Sequence, residues 1–221
     1  MTTQRPILSV GEIYHIFNKS IANQSIFNSL ENLKRILILV DYYRFNQRIK
    51  LSKFYTLPSL IQQSYLKEIR KTKLLIDIYA FSFMPNHYHF LLKQLEKNAV
   101  RQFISNIQNS YSKSFNLINE REGSLFLHSF KSKIIYNEEA FIHVCRYIHL
   151  NPVMSHSSEF EQLKTYPFTS YSWYLNNNLN RFVNTDLIMN RFKTKNNIIK
   201  FHKNQVDYQR RLKEIKDLLM E

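Results

Sequence analysis

Two periods of apolar residues run along the chain, and together they predict its strands and helices. An alternating pattern or an unbroken apolar run is typical of a strand, and the predicted strands are 12–19, 74–83, 87–93 and 133–136. Apolar residues three and four apart are typical of an amphipathic helix, and the long predicted helices are 29–46, 99–122 and 137–151. Ser29 is a suitable N-cap, while Gly123 and Pro152 are expected to end the second and third helices.

The order of these elements predicts the fold. Strand, helix, strand, strand, helix, strand, helix is the split βαβ arrangement of an antiparallel ferredoxin-like, or RRM-like, sheet in an α+β protein. Such a sheet carries its helices on one face, so we expect the other face to be free for chemistry.

The domain organisation follows from the segments outside that order. We expect residues 1–175 to form one domain, with a helical insertion at about 47–73 and a packed segment at 166–171. Residues 176–221 are expected to be a basic C-terminal extension with a helix at 207–220, because ten Lys/Arg and five Asp/Glu follow from Arg181 onward.

The charge of the chain is strongly positive. Lys and Arg number 31 against 17 Asp and Glu, which gives +14, and hydrophobic residues make up 44%. Such an excess favours a polyanionic partner, nucleic acid first, although a merely basic protein would have the same composition. No apolar run is long enough to span a membrane, the N-terminus lacks a signal-peptide layout, and a single cysteine fits a reducing cytosol.

The most informative stretch is the strand at 87–93. Pro85 and Asn86 are turn residues, and His87 and His89 follow on one side of the strand because successive side chains point to opposite faces. Two neighbouring imidazoles on a rigid strand are half of a metal site. A His-x-His pair by itself is nevertheless more often structural.

The helix at 137–151 supplies candidates for the other half. Tyr147 and Asn151 are four residues apart and therefore project from one helix face. If this helix lies near the open sheet face, the Asn151 amide oxygen could reach a metal held by the two histidines, with Tyr147 beside it. Tyr147 alone would be interpreted as a core residue.

The remaining histidines and the cysteine are interpreted as ordinary surface or packing residues. Cys145 lies on a different helix face from Tyr147 and is expected to be buried. The histidines in this group are His15, His128, His143, His149, His156 and His202.

Several segments in this order resemble the single-tyrosine HUH transposases, and most closely the REP-associated tyrosine transposases of the IS200-like group. The resemblance covers about residues 12–175. The matching segments are Tyr-His-Ile-Phe-Asn-Lys at 14–19, Met-Pro-Asn-His-Tyr-His at 84–89, Gly-Ser-Leu-Phe at 123–126 leading into Phe-Lys-Ser at 130–132, Arg-Tyr-Ile-His-Leu-Asn-Pro-Val at 146–153 and Tyr-Pro-Phe-Thr-Ser-Tyr at 166–171.

The resemblance implies a DNA strand transferase that cuts and rejoins single-stranded, hairpin-forming DNA. It assigns the nucleophile to Tyr147, which would form a covalent 5′-phosphotyrosine link, and the metal ligands to His87, His89 and Asn151. It further implies Mg²⁺ or Mn²⁺ as cofactor, REP-like or transposon-end hairpins as partner, action as a monomer or a homodimer, and a bacterial, nucleoid-associated cytoplasmic protein. Nearby basic residues are candidate DNA contacts: Lys19, Lys131, Lys133 and Arg146.

These residue types suit the implied chemistry. A free tyrosine has a pKa near 10, so about 0.1% is phenolate at pH 7, which costs roughly 4 kcal/mol relative to a fully ionised nucleophile. A divalent cation beside the scissile phosphate would neutralise its oxygens and orient the attack. A phosphotyrosine bond would also keep the energy that rejoining needs.

Two other functions stay open. A non-cleaving protein that binds structured single-stranded nucleic acid would share the charge and the fold, and a metal hydrolase would use water in place of tyrosine. Two segments depart from the family pattern and could change DNA choice or assembly: the insertion at 47–73 and the tail beyond about 180. Lys131 and Lys133 would fit a solvated strand edge nearly as well as a DNA contact.

Overall fold

Four antiparallel strands form the sheet on which the chain is built. The computed structural model describes residues 7–155, 158–176, 179 and 182–218, with side chains of the last helix up to Val206. The sheet order is β2-β3-β1-β4, which is the ferredoxin-like order that the sequence predicts. The strands are β1 (Ile13–Lys19), β2 (Ile76–Met84), β3 (His87–Gln94) and β4 (Lys131–Ile135).

Two crossover helices cover one face of the sheet, α1 (Leu30–Tyr43) and α4 (Ala99–Ile118). The predicted N-cap is confirmed, since Ser29 Oγ accepts the Asn32 backbone N–H at 3.1 Å. The core lies between these helices and the sheet, where the Phe90 and Phe103 rings are 5.9 Å apart. The predicted α+β fold is therefore confirmed.

A third long helix, α5 (Glu138–Met154), lies on the opposite face across β2 and β3. The sequence predicts helices on one face only, and this part of the prediction is wrong. The physical reason is that β2 is buried along nearly its whole length, on both of its faces. Apolar side chains on both faces need cover on both, so only the part of the sheet around β1 and β4 stays open.

Two helix ends differ from the prediction. Pro152 lies inside α5, because it removes only one hydrogen bond near the C-terminus and the Ser155 backbone N–H still bonds to the Asn151 carbonyl at 3.0 Å. Helix α4 ends at Ile118, well before Gly123. Asn119 Nδ2 donates to the Phe115 carbonyl at 2.7 Å and the next residue takes a left-handed conformation, which ends the helix there.

The insertion between α1 and β2 is helical, as predicted. It contains α2 (Leu51–Phe54) and α3 (Ser59–Ile69) and packs beside α1, where the Tyr42 and Phe54 rings are 5.6 Å apart. It therefore extends the helical layer on the side of the sheet away from α5.

The C-terminal part contains α6 (Tyr171–Leu175), α7 (Asp186–Phe192) and α8 (Lys195–Leu218). Helix α8 starts twelve residues before the predicted helix. The segment at 166–171 is packed as predicted, and Ser170 and Asn184 donate backbone N–H groups to β2, which covers that sheet edge. None of the described helices is both long and apolar enough to cross a membrane.

Candidate active site

The turn between β2 and β3 positions the two strand histidines. The Pro85 carbonyl accepts backbone N–H groups from Ile26 and Phe27 at 2.6 and 3.0 Å, and the Asn86 carbonyl accepts one from Ser20 at 2.8 Å. These bonds tie the turn to the segment that follows β1. The hairpin thus enters β3 in a defined register, with its odd-numbered residues on the face that α5 partly covers.

His87 and His89 lie side by side on that face, and Tyr88 between them is buried in the core on the other. The ring centroids of the two histidines are 5.1 Å apart. The alternation along the strand therefore produces the pair that the sequence predicts.

The ring of His87 is held by its neighbour in the turn. His87 Nδ1 lies 2.6 Å from Asn86 Oδ1, and Asn86 Nδ2 donates towards Asn23. An amide oxygen only accepts hydrogen bonds, so His87 Nδ1 carries the proton. Its other ring nitrogen, Nε2, then has a lone pair that can bind a metal.

A third histidine, His15 of β1, contacts the pair. His15 Nε2 is 2.9 Å from His89 Nδ1, and both side chains are buried. From the sequence His15 is interpreted as an ordinary surface or packing residue, and its contact with His89 is not predicted. The available signal was the alternation along β1, which puts His15 on the strand face opposite Tyr14 and Ile16. Its contact with His89 depends in addition on the register between β1 and β3.

Burial keeps all three imidazoles neutral near pH 7. Desolvation, with the nearby charges of His15, His87 and Lys19, lowers the pKa of His89 to about 3. Desolvation and Lys133 lower the pKa of His15 to about 4, and desolvation with Lys19 lowers that of His87. Neutral imidazole is the form that binds metals, so the environment suits ligation.

Helix α5 brings Tyr147 to the same place. Its ring centroid lies 5.7 Å from that of His89 and 5.9 Å from that of His15, both in edge contacts. The side chain is 48% exposed, in contrast to the buried histidines. A substrate approaching over the open part of the sheet could therefore reach the tyrosine.

Asn151 lies one turn further along α5 and is 9% exposed. Its Nδ2 donates to the Tyr147 carbonyl at 3.3 Å, so Oδ1 is the atom suited to ligation. Over the part of the chain that the structure describes, no three His, Cys, Asp or Glu side chains form a group that could hold a metal ion. The arrangement expected from the sequence is of another kind, because its third ligand would be the amide oxygen of Asn151.

Three of the predicted basic contacts share the histidine face. Lys19 pairs with His87 across the β1–β3 ladder, and Lys133 and Lys131 pair with His15 and Phe17 across the β1–β4 ladder. All three lysines are exposed. They line the open part of the sheet next to Tyr147.

Arg146 and Cys145 have structural contacts. Phe201 of α8 is the partner of Arg146. The Arg146 guanidinium lies 4.0 Å from the Phe201 ring centroid and donates to the Phe201 carbonyl at 3.3 Å. Cys145 is buried, as predicted, and burial raises the pKa of its thiol to about 12.

The remaining histidines are not part of this site. His149 and His202 are buried together between α5 and α8, with Nδ1 and Nε2 3.0 Å apart. His128 lines a groove beside α4, and His143 contacts Arg146 on the outer side of α5. His156 lies outside the described residues.

Comparisons with known proteins add the following matches. The family described as "Transposase IS200 like" matches residues 61–151, a segment that contains both strand histidines, Tyr147 and Asn151. No curated protein matches the sequence. Among solved structures, a REP-associated tyrosine transposase bound to a REP hairpin aligns with a TM-score of 0.52 at 14% identity, covering 82% of this chain and 89% of that chain. A candidate transposase from Deinococcus radiodurans R1 aligns with a TM-score of 0.37 at 12% identity, covering 67% of this chain and 95% of that one.

Proposed function

We propose that the protein cleaves and rejoins single-stranded, hairpin-forming DNA, because residues 61–151 match the IS200-like transposase family. The observation that carries the proposal is the edge contact of a half-exposed tyrosine, Tyr147, with a buried strand histidine, His89, at 5.7 Å. A nucleophile that must reach a phosphate needs both features: access from solvent and a neighbouring ligand group.

In this proposal Tyr147 is the nucleophile. Its phenolic oxygen attacks the scissile phosphorus in line, the bond to the 3′ oxygen breaks, and that oxygen takes up a proton to leave as a 3′-OH. The phenol proton passes to solvent. The 5′ phosphate stays on the tyrosine as a phosphodiester, so a second 3′-OH can reverse the step and rejoin the strand without ATP.

The proposed metal ligands are His87 Nε2, His89 Nε2 and Asn151 Oδ1, and the donor set fits a divalent cation. Both imidazoles are neutral near pH 7, and His87 has its proton on Nδ1. Imidazole and amide oxygen together suit Mn²⁺ and, with water completing the shell, Mg²⁺. When bound, the cation would withdraw charge from the phosphate oxygens.

The proposed path of the DNA crosses the open part of the sheet. Lys19, Lys131 and Lys133 would contact phosphates, since they lie exposed on the same face as the histidines. Arg146 is left out of this path because its guanidinium packs on α8. Hairpin DNA is proposed as substrate from the family and from the solved relative bound to a REP hairpin.

The test is a search for the covalent intermediate. End-labelled single-stranded hairpin DNA from the flanks of its own gene is incubated with the protein and Mn²⁺ and separated on a denaturing protein gel. We expect a labelled protein band that disappears with EDTA and in Tyr147→Phe. Tyr136→Phe is the matched control, because Tyr136 is also exposed and lies outside the histidine cluster.

The other outcomes identify the alternatives. Tight retention of the hairpin with no labelled band would contradict the proposal and favour a non-cleaving binding protein. Cleaved DNA with no labelled band, unchanged in Tyr147→Phe, would favour a hydrolase that uses water.

A further inference from the structure

The contact between His15 and His89 joins two strands at the centre of the site. His15 is diagonal to His89 across the β1–β3 ladder, because Phe17 is the residue directly opposite His89. The rings stack at 5.1 Å with 22° between their planes, and His15 Nε2 lies 2.9 Å from His89 Nδ1. His15 is 8% exposed and His89 is 6% exposed. The hydrogen bond is therefore shielded from competing water.

This contact determines which nitrogen of His89 can bind another partner. Nδ1 is already covered by His15, so Nε2 is the ring nitrogen that remains. Nε2 has a lone pair in the neutral ring only if the proton is on Nδ1. In that tautomer the Nδ1–H donates, and the group facing it at position 15 must accept.

The neighbouring histidine has the same arrangement with a different acceptor. His87 Nδ1 faces Asn86 Oδ1 at 2.6 Å, and an amide oxygen has no alternative to accepting. For His89 the acceptor would be the Nε2 lone pair of His15, with the His15 proton on Nδ1. Both candidate ligands would then present Nε2, each oriented through a hydrogen bond to its Nδ1.

We propose that His15 is a positioning residue for His89: by accepting the Nδ1–H bond it selects the tautomer and ring orientation in which Nε2 is available to a divalent cation. The inference rests on the proposed function, since it takes His89 as a metal ligand. It goes beyond that function by giving β1, which lies outside the family-matched segment at 61–151, a role in the site.

If the side chain at position 15 served only for packing, it would not need a hydrogen-bond acceptor. The His15 ring also lies 5.0 Å from the Phe17 ring and 5.9 Å from that of Tyr147, contacts that a leucine or phenylalanine could supply. A hydrogen-bond acceptor at the location of Nε2 is needed only if the tautomer of His89 matters. The two roles therefore respond differently to the choice of substitution.

The experiment compares His15→Gln, His15→Asn and His15→Leu with the unchanged protein. The amide of glutamine extends to about the location of Nε2, whereas the shorter asparagine extends to about that of Nδ1. Mn²⁺ affinity of the full chain without DNA is measured by titration followed by electron paramagnetic resonance. We expect His15→Leu and His15→Asn to bind Mn²⁺ about 10- to 100-fold more weakly, and His15→Gln to stay within about threefold.

A second measurement does not depend on metal. Long-range ¹H–¹⁵N spectra of the metal-free protein report which nitrogen of His89 carries the proton. We expect the Nδ1–H tautomer in the unchanged protein and in His15→Gln, and its loss in His15→Leu. Thermal unfolding of each variant establishes that the fold is retained, and His143→Leu, a change on the outer side of α5, is the control for histidine removal.

Either of two results would overturn the proposal: an Nε2–H tautomer of His89 in the unchanged protein, or a His89 tautomer and a Mn²⁺ affinity that are the same in all three variants. Neither readout uses DNA. Absence of a covalent adduct would therefore contradict the proposed function while leaving the tautomer result as the test of His15.

Discussion

Tyr88 shows at the scale of a single residue how the site depends on the core behind it. It lies between His87 and His89 in β3 but points to the other side of the sheet, where it is 2% exposed. Its hydroxyl accepts Gln108 Nε2 of α4 at 2.8 Å, and burial raises the pKa of the phenol far above its usual value. One face of β3 thus packs in the core through Tyr88, and the opposite face carries the imidazoles of His87 and His89.

Tyr88→Phe should weaken the fold without touching the site directly. Removing the hydroxyl leaves Gln108 Nε2 without its acceptor, and a lost hydrogen bond of this kind costs about 1 kcal/mol. We expect the free energy of unfolding, measured by urea denaturation, to fall by about that amount. Tyr136→Phe, at a residue that is 82% exposed, should change it by less than about 0.5 kcal/mol, and equal effects in the two variants would contradict the assigned role of Tyr88.

The packing of α8 on α5 decides, at the scale of an element, where the helix that carries Tyr147 lies. His202 Nδ1 bonds to the Ile198 carbonyl at 2.8 Å, which puts the proton of that ring on Nδ1. His202 Nε2 then accepts from His149 Nδ1 at 3.0 Å, and His149 Nε2 accepts from Ser170 Oγ at 3.0 Å. This chain of hydrogen bonds connects α8, α5 and the segment beside β2. It fixes α5 through His149, while Tyr147 of the same helix contacts His89 of the sheet.

This buried chain should make folding sensitive to acid. Burial lowers the pKa of His202 to about 4, with Arg146 adding to the effect. Between pH 6.5 and about 4 the unfolded chain binds a proton at residue 202 that the folded protein does not. Stability present above pH 6.5 is therefore lost as the pH falls towards 4, by about 3 kcal/mol for this group.

His202→Gln is the variant that tests this pH dependence, because an amide can still accept from His149 but does not titrate. Urea unfolding across pH 4 to 8 should give a shallower loss of stability in His202→Gln than in the unchanged protein, with the two curves closest above pH 7. Parallel curves down to pH 4 would show that His202 does not contribute.

At the scale of the whole molecule, charge and shape point the same way. The chain carries +14, and α1, α4 and α5 leave open the part of the sheet that bears Lys19, Lys131 and Lys133. Aromatic and basic groups lie together there, since Phe17 is paired with Lys131 across the β1–β4 ladder. Such a surface suits a single strand, in which phosphates meet cations and bases meet rings.

The salt dependence of DNA binding tests that surface. Each lysine that contacts a phosphate of single-stranded DNA contributes about 0.7 to the slope of log affinity against log salt. Replacing Lys19, Lys131 and Lys133 together by Gln should therefore make the slope shallower by about 2, measured by fluorescence anisotropy with hairpin DNA carrying single-stranded flanks. Lys34→Gln, an exposed lysine on α1, should leave it unchanged, and a triple variant with an unaltered slope would contradict the proposed path.

The features of this protein that could be predicted from its sequence all follow from local periodicity. Alternation put His87 and His89 on one strand face, the helical repeat put Tyr147 and Asn151 on one helix face, and the order of elements predicted the sheet order. These properties depend on residues close together in the chain, where backbone geometry alone decides which side chains share a face.

Which of those faces meet depends on contacts between residues that are far apart in the chain. His15 and His89 are 74 residues apart, and their contact depends on the register between β1 and β3. The position of α5 over β2, and of Arg146 against α8, follows from which apolar surfaces remain to be covered. Such contacts are set by the competition of many surfaces for burial, and no local pattern of a single segment specifies the outcome.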